Sequence, residues 1–359
     1  MIARQSRPAT LVILLLIILA GCTGTGQPMV TPAATNGLSP AAPGTPTETT
    51  ANIPLKVGMA PYLSYAPFYI AAAEGYFKEQ GLDVEIVVVK STADAIATLS
   101  QGKLDISGLP IASGLLNAIV RNSGVKIVAS KERLVQQACI YSGIVVRNGA
   151  PLASSDKITP ELLKGLRYDV DPVSMSGYML DMLLQKYGLS LDKITLADMP
   201  SAAATLDAMQ QGTVDVAAMT EPWITRARVA GAGDVRLARS EVTPDSQLAI
   251  IAYGPTILKD NPAAGKRFMV AYLKGVRRFA EGMTEPTLAI LEKELDLDRT
   301  LLTEMCPPYI PPDGEINAQS IVDFGSWAVA KGYIDAPVTA AMFWEPRFVE
   351  YARQVLGAP

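Results

Sequence analysis

A pattern written twice, 110 positions apart, narrows most what this 359-residue chain can fold into. Residues 95–109 read AIATLSQGKLDISGL and residues 205–219 read TLDAMQQGTVDVAAM, which aligns Gln101, Gly102 and Asp105 with Gln211, Gly212 and Asp215. In each copy the apolar positions before Gln-Gly recur at helical spacing. The Gly suits the left-handed residue that ends a helix, and the apolar residues around each Asp suit a short buried strand. The pattern predicts two α/β lobes of similar build, and a cleft between paired lobes is a place to enclose a small molecule. Ordinary helix-turn-strand grammar also produces so short a repeat, so the lobes need support from the rest of the chain.

That support comes from alternation. Residues 56–59, 84–89, 106–108 and 125–129 are strand candidates separated by helical patterns, and a second series runs from Leu166 through 194–196 to 214–218. Strands alternating with helices argue for α/β architecture with two mainly parallel sheets. Two extended segments, 143–147 and 248–253, bracket the second series and read as hinge crossings between lobes. The expected boundaries are therefore lobe 1 at 54–142 and 254–359, and lobe 2 at 148–247. After Pro255 the pattern turns helical to the end, interrupted by PPYIPP at 307–312, where consecutive prolines cannot continue a helix.

The first residues speak to the compartment. Arg4 and Arg7 precede an apolar run, 11–19, that is shorter than the roughly 20 residues a membrane-spanning helix needs. Residues 1–22 read as a signal segment ending in Leu19-Ala20-Gly21-Cys22, an arrangement similar to a bacterial lipobox, with Cys22 as the lipidated residue. Residues 23–53 are rich in Thr, Pro, Ala and Gly with Glu48 as the single charge, a flexible tether with a reach on the order of 30 Å. Without residues 1–22 the chain keeps 29 basic against 35 acidic residues, a net charge of −6 that points to no nucleic acid partner. Cys139 and Cys306 remain, either as a disulfide or as two isolated thiols.

The chain has no histidine, which removes Ser-His-Asp and Cys-His nucleophilic schemes and the commonest metal ligand. No glycine-rich phosphate loop follows a strand, and no carboxylate pair stands at a telling spacing. The expectation is a binding protein rather than an enzyme, with no cofactor and no metal. Ligands of open α/β sheets sit in the loops that follow strands. Four such loops carry candidates: Tyr62 and Tyr65 to stack on a flat ligand, Ser113 at a helix start, Asp171 with Ser174 and Ser176, and Glu221 beside Trp223. Three of the four have a structural alternative, since Ser174 and Ser176 also suit helix N-caps, Glu221 suits a first helical turn, and the tyrosines suit helix packing. With Asp171 and Glu221 facing the cleft, a donor-bearing heteroaromatic solute is favoured over a bare anion. Amides at helix starts argue the other way, for a sulfonate, taurine or nitrate type of ligand.

Four segments carry a family resemblance. APFYIAAAEGYFKEQGLDVEI (66–86), SQGKLDISG, SMSGYMLDMLLQKYGLSLDKI (174–194) and QQGTVDVAAMTEPW are similar to the solute-binding lipoproteins of ABC importers of the nitrate, sulfonate, taurine and thiamine-precursor group, also described as SsuA/THI5-like or NMT1-like. RFMVAYLKGVRRF (267–279) resembles the helix that follows the return crossing in that group. The resemblance implies a two-lobed periplasmic-binding fold of type II-like build that closes on its solute. It further implies a monomer, lipid-anchored on the outer face of the cytoplasmic membrane, delivering to a permease with a cytoplasmic ATPase. A pyrimidine-type vitamin precursor is one implied solute. The thiamine-pyrimidine synthase branch relies on a histidine and a cysteine-rich motif, and this chain has neither. A solute-sensing lipoprotein is the remaining alternative.

Overall fold

A computed structural model of the chain describes residues 52–359. The signal segment, Cys22 and residues 23–51 lie outside the described residues. Residues 52 and 53, read above as the end of the tether, belong to the folded body, because Ile53 opens the first strand.

The chain first lays down β1 (Ile53–Met59), β2 (Leu82–Val88), β3 (Ile106–Pro110) and β4 (Lys126–Arg133). It then builds β5 (Ser142–Arg147), β6 (Arg167–Asp169), β7 (Thr195–Ala197), β8 (Val216–Thr220) and β9 (Gly233–Ala238), and returns with β10 (Gln247–Tyr253). Two five-stranded sheets result, ordered β2-β1-β3-β10-β4 and β7-β6-β8-β5-β9. The two orders are one pattern used twice: the first three strands are parallel, and an antiparallel strand stands between the third and the fourth. In each sheet the antiparallel strand is the one reached from the other sheet.

This corrects the two hinge crossings. Residues 143–147 form most of β5, paired with both β8 and β9, and 248–253 form most of β10, paired with both β3 and β4. The reason is burial. QLAIIAY is buried at every position and SGIVVR at all but its last, and a bare crossing would leave those apolar side chains and backbone groups without partners. The chain passes between sheets at residues 134–141 and 243–246 instead.

The duplicated pattern has a common job in both sheets. Ser91 caps helix Thr92–Ser100 and Ser201 caps helix Ala202–Gln210, while Gly102 and Gly212 follow these helices at φ +68° and +72°. Asp105 then accepts the backbone N–H of Lys56 on β1 at 2.8 Å, and Asp215 accepts that of Arg167 on β6 at 3.1 Å. Each Asp also donates its own N–H to the carbonyl of that same residue. The repeat thus ends in a clamp of the third strand onto the first. Burial alone would raise the Asp215 carboxyl, but hydrogen bonds from Arg167 and Arg147 outweigh it and hold the group down at about 2.

Helices cover both sheets. Helix Pro262–Ala280 lies against helix Ala66–Ala73 so closely that a Cβ on Gly275 would meet the Pro67 carbonyl oxygen at 2.2 Å. Phe68, Phe268, Tyr272, Tyr253 and Phe348 fill the core beneath. Helix Ala318–Ala330 does not stay with the first sheet: it packs on β10 and also on helix Met175–Gln185 of the second. There Asp181, fully buried, accepts from Trp327 Nε1 and pairs with Lys331 Nζ, both at 2.9 Å. Cys139, in the first crossing, and Cys306 form a disulfide with a Cα–Cα distance of 5.7 Å.

Candidate functional site

The C-terminal ends of the parallel strands in both sheets converge on one cavity of about 410 Å³. Its wall takes in the loops after β1, β2, β6 and β7, the ends of β3, β4 and β8, the residue after β9, and the start of the antiparallel β10. That is where the edges of open α/β sheets leave room for a ligand.

Of the sequence candidates, Tyr62, Tyr65, Asp171, Ser176 and Trp223 line this cavity. Tyr65 is pinned, donating its hydroxyl to the Gly108 carbonyl at 2.8 Å. Asp171 accepts the Val173 N–H with one oxygen, and Trp223 lies under Arg226. Ser113, Ser174 and Glu221 are placed elsewhere. Ser113 donates to the Val173 carbonyl at 2.8 Å, and Ser174 donates to the Asp171 carbonyl while capping the next helix. Together with the Met175 N–H on the Ile111 carbonyl, these residues sew the loop after β3 to the loop after β6. Glu221, 4% exposed, accepts both the N–H and the hydroxyl of Thr225 and the N–H of Cys306, so its carboxylate is spent on Thr225 and the Cys306 backbone. The reading of Glu221 as a ligand acceptor is therefore replaced by a structural one.

The charged residues that line the cavity deepest were not among the candidates. Lys131 and Glu132, 3% and 5% exposed, are sequence neighbours on β4, and a regular strand would point them to opposite faces. The register against β10 slips between Ala249–Glu132 and Ile250–Ser130, which makes Lys131 the extra residue of a bulge and brings both side chains to the cavity. Lys131 Nζ donates to Ser64 Oγ at 2.6 Å and stands 3.8 Å over the Tyr65 ring. It crosses the face of Gly108, where a Cβ would meet its Cδ at 2.8 Å. Across the cleft Arg239, 2% exposed, donates to Ser176 Oγ at 2.9 Å and Ser142 Oγ at 3.2 Å, with Met179 Sδ at 3.3 Å from Nε. Arg239 follows β9 as Lys131 and Glu132 end β4, so the cations come from equivalent strands of the two sheets. The available signal was LysGluArg directly after the apolar run 127–129 and Ser130, a charge run that the core would not tolerate without a use.

Burial pushes the Lys131 ammonium down to about 8 against Glu132's opposing pull, and Arg239 to about 10 for the same leading reason. Burial likewise pushes the Glu132 carboxyl up, opposed by Lys131, Arg239 and Ser64. For Lys131 the folded value lies below the ordinary 10.5. As pH rises above about 8, the folded protein sheds this proton while the unfolded chain keeps it, so stability rises towards pH 10.5, by on the order of 3 kcal/mol in full. Urea unfolding of the ligand-free protein from pH 7.5 to 10 should show a component of this sign, absent from Lys131→Met. Equal pH slopes for the two proteins would mean that Lys131 is not held charged in a dry site.

The family model described as NMT1/THI5 like matches residues 63–282. Among curated proteins the chain is similar to the bicarbonate transport ATP-binding protein CmpC of Synechocystis sp., at 28% identity over 200 residues. That stretch is 50% of this chain but only 28% of the relative, so the chain spans little more than a quarter of that protein's length. Among solved structures it is similar to the periplasmic nitrate-binding protein NrtA from Synechocystis PCC 6803, with TM-score 0.70, 16% identity, and 86% of this chain and 90% of that chain covered. It is also similar to the alkanesulfonate-binding protein SsuA from Xanthomonas axonopodis pv. citri bound to MOPS, with TM-score 0.65, 17% identity, and 82% and 99% covered. At such identities the structural likeness concerns the fold: two lobes of the periplasmic-binding type.

Proposed function

The chain belongs to the NMT1/THI5-like family, and on that premise we propose that it is the solute-binding component of an ABC importer, holding a small organic solute between its two sheets and handing it to a membrane permease. The observation that carries this reading is the cavity itself. It is formed from both sheets, about 410 Å³ in volume, and lined by two tyrosines and a tryptophan around a few buried polar groups, the make-up of a small-molecule site. A nitrate-sized anion would leave most of that space unfilled. Lipid attachment at Cys22 would keep the loaded protein near its permease, on the outer face of the cytoplasmic membrane, as a monomer. Closure would turn on the crossings at 134–141 and 243–246, with solute shifting an open-closed equilibrium.

The test is a thermal-shift screen of the full chain in detergent against taurine, alkanesulfonates, nitrate, aminopyrimidines, flavins and aromatic acids. A solute present at 100 times its Kd should stabilise the protein by about 2.7 kcal/mol and be recovered unchanged. Chemical conversion of the bound solute, or the absence of any binder, would count against a transport role.

A further inference from the structure

The cavity buries three charges whose mutual pairing is incomplete. Among the described residues neither Lys131 nor Arg239 has a carboxylate within ion-pair distance, their hydrogen bonds going to hydroxyls and a thioether. Glu132, 5% exposed, leaves Oε1 buried without any hydrogen-bond partner. An unpaired buried carboxylate oxygen costs several kcal/mol in general and persists where something else supplies the partner. Lys131, Glu132 and Arg239 line the same cavity, and Glu132 lies near enough to both cations to feel their charge. Tyr62 and Trp223 stand elsewhere on the cavity wall as flat apolar surfaces.

We propose that the ligand is amphoteric, with an anionic group received by Arg239 and Lys131, an ammonium or amino group donating to Glu132 Oε1, and an apolar or flat body against Tyr62 and Trp223. This rests on the solute-binding reading above and deepens it. An anion alone satisfies the cations and leaves Glu132 facing like charge. An amine alone satisfies Glu132 and is repelled by the cations. A molecule carrying both groups a few bonds apart completes every pairing among the three, and charge-assisted hydrogen bonds are the strong ones. Selectivity against one-headed analogues then follows from the polar groups they would leave buried and unpaired.

The test uses matched sets on three frames: phenylalanine with 3-phenylpropanoate and phenethylamine, 4-(aminomethyl)benzoate with 4-methylbenzoate and 4-methylbenzylamine, and 2-aminoethanesulfonate with ethanesulfonate and ethylamine. On at least one frame the two-headed member should bind ten-fold or more tighter than both analogues by calorimetry. Glu132→Gln should weaken that member at least ten-fold while tightening the anion-only analogue, which no longer faces a like charge. An unchanged affinity of the two-headed member for Glu132→Gln would make Glu132 a structural residue and overturn the proposal. Anion-only members binding as tightly as two-headed ones, or a solute lacking either the anionic or the amino group binding in their place, would overturn it while leaving the solute-binding role intact. Silence from these sets and from the wider screen alike would overturn both.

Discussion

Replacing Asp181 with alanine is expected to cost about 3–5 kcal/mol of stability, the usual penalty for breaking a buried charge network from one side. Asp181 is fully buried, yet all its bonds are made. Oδ2 accepts from Trp327 Nε1 and Gln185 Nε2 and pairs with Lys331, while Oδ1 accepts the Leu191 backbone N–H at 3.2 Å. Burial raises the carboxyl, but these donors prevail and hold it below the ordinary carboxylate range. Alanine would strand the Trp327 and Leu191 N–H groups in the core and loosen helix Ala318–Ala330 from helix Met175–Gln185 at the one place where an ion pair joins them. Asp181→Asn keeps acceptor capacity for Trp327 and loses the attraction of Lys331, so it should cost less, about 1–3 kcal/mol. Because the folded pKa is depressed, the charge contributes fully above the unfolded value of about 3.9 and is lost as pH falls through the folded one. The gap between parent and Asp181→Asn in urea unfolding should therefore be widest near neutral pH and close in acid. A gap that does not change with pH would assign the effect to shape alone.

What the chain discloses before folding divides along a physical line. Helix ends and turns are local, so Gly102 and Gly212, the helices before them and the strands after them could be read from spacing, and with them the two-lobed build. Strand pairing is not local. The apolar segments 143–147 and 248–253 look the same whether they cross between lobes or run antiparallel inside a sheet, and only the ladders to β8 and β9, or to β3 and β4, decide. The site follows the same division. Strand-end loops are placed by a general rule, so Tyr62, Tyr65, Asp171, Ser176 and Trp223 fell on the cavity wall. Which side chains in those loops are free for a ligand depends on local competition for the backbone, and Ser113, Ser174 and Glu221 lost that competition to Val173, Asp171, Thr225 and Cys306. Lys131 and Glu132 were hidden for another reason: alternation puts one of two strand neighbours on each face, and the bulge that breaks it is a property of the pairing with β10.

Loss of the disulfide is the other large effect expected. Cys139 and Cys306 are 167 positions apart, and closing a loop of that size removes chain entropy worth about 5 kcal/mol from the unfolded state in the simple polymer account. Residual order in the unfolded chain lowers the figure, so a double Cys139→Ser, Cys306→Ser variant should lose about 2–5 kcal/mol, and reductant should bring the parent to the same value. The bond has a local consequence as well. It fastens the first crossing to the segment before PPYIPP, where Gln137 also donates to the Pro307 carbonyl at 3.1 Å and the Cys306 N–H donates to Glu221 at 3.3 Å. Those weaker ties cannot hold residues 134–141 alone, because Gln137 is exposed on its Pro307 side and Glu221 is already shared with Thr225. Hydrogen exchange in the reduced protein should therefore rise first in residues 134–141 and around Cys306, ahead of β3, β8 and β10, which are held by their own ladders. Uniform acceleration across both sheets would instead mean that the bond acts only through the unfolded chain.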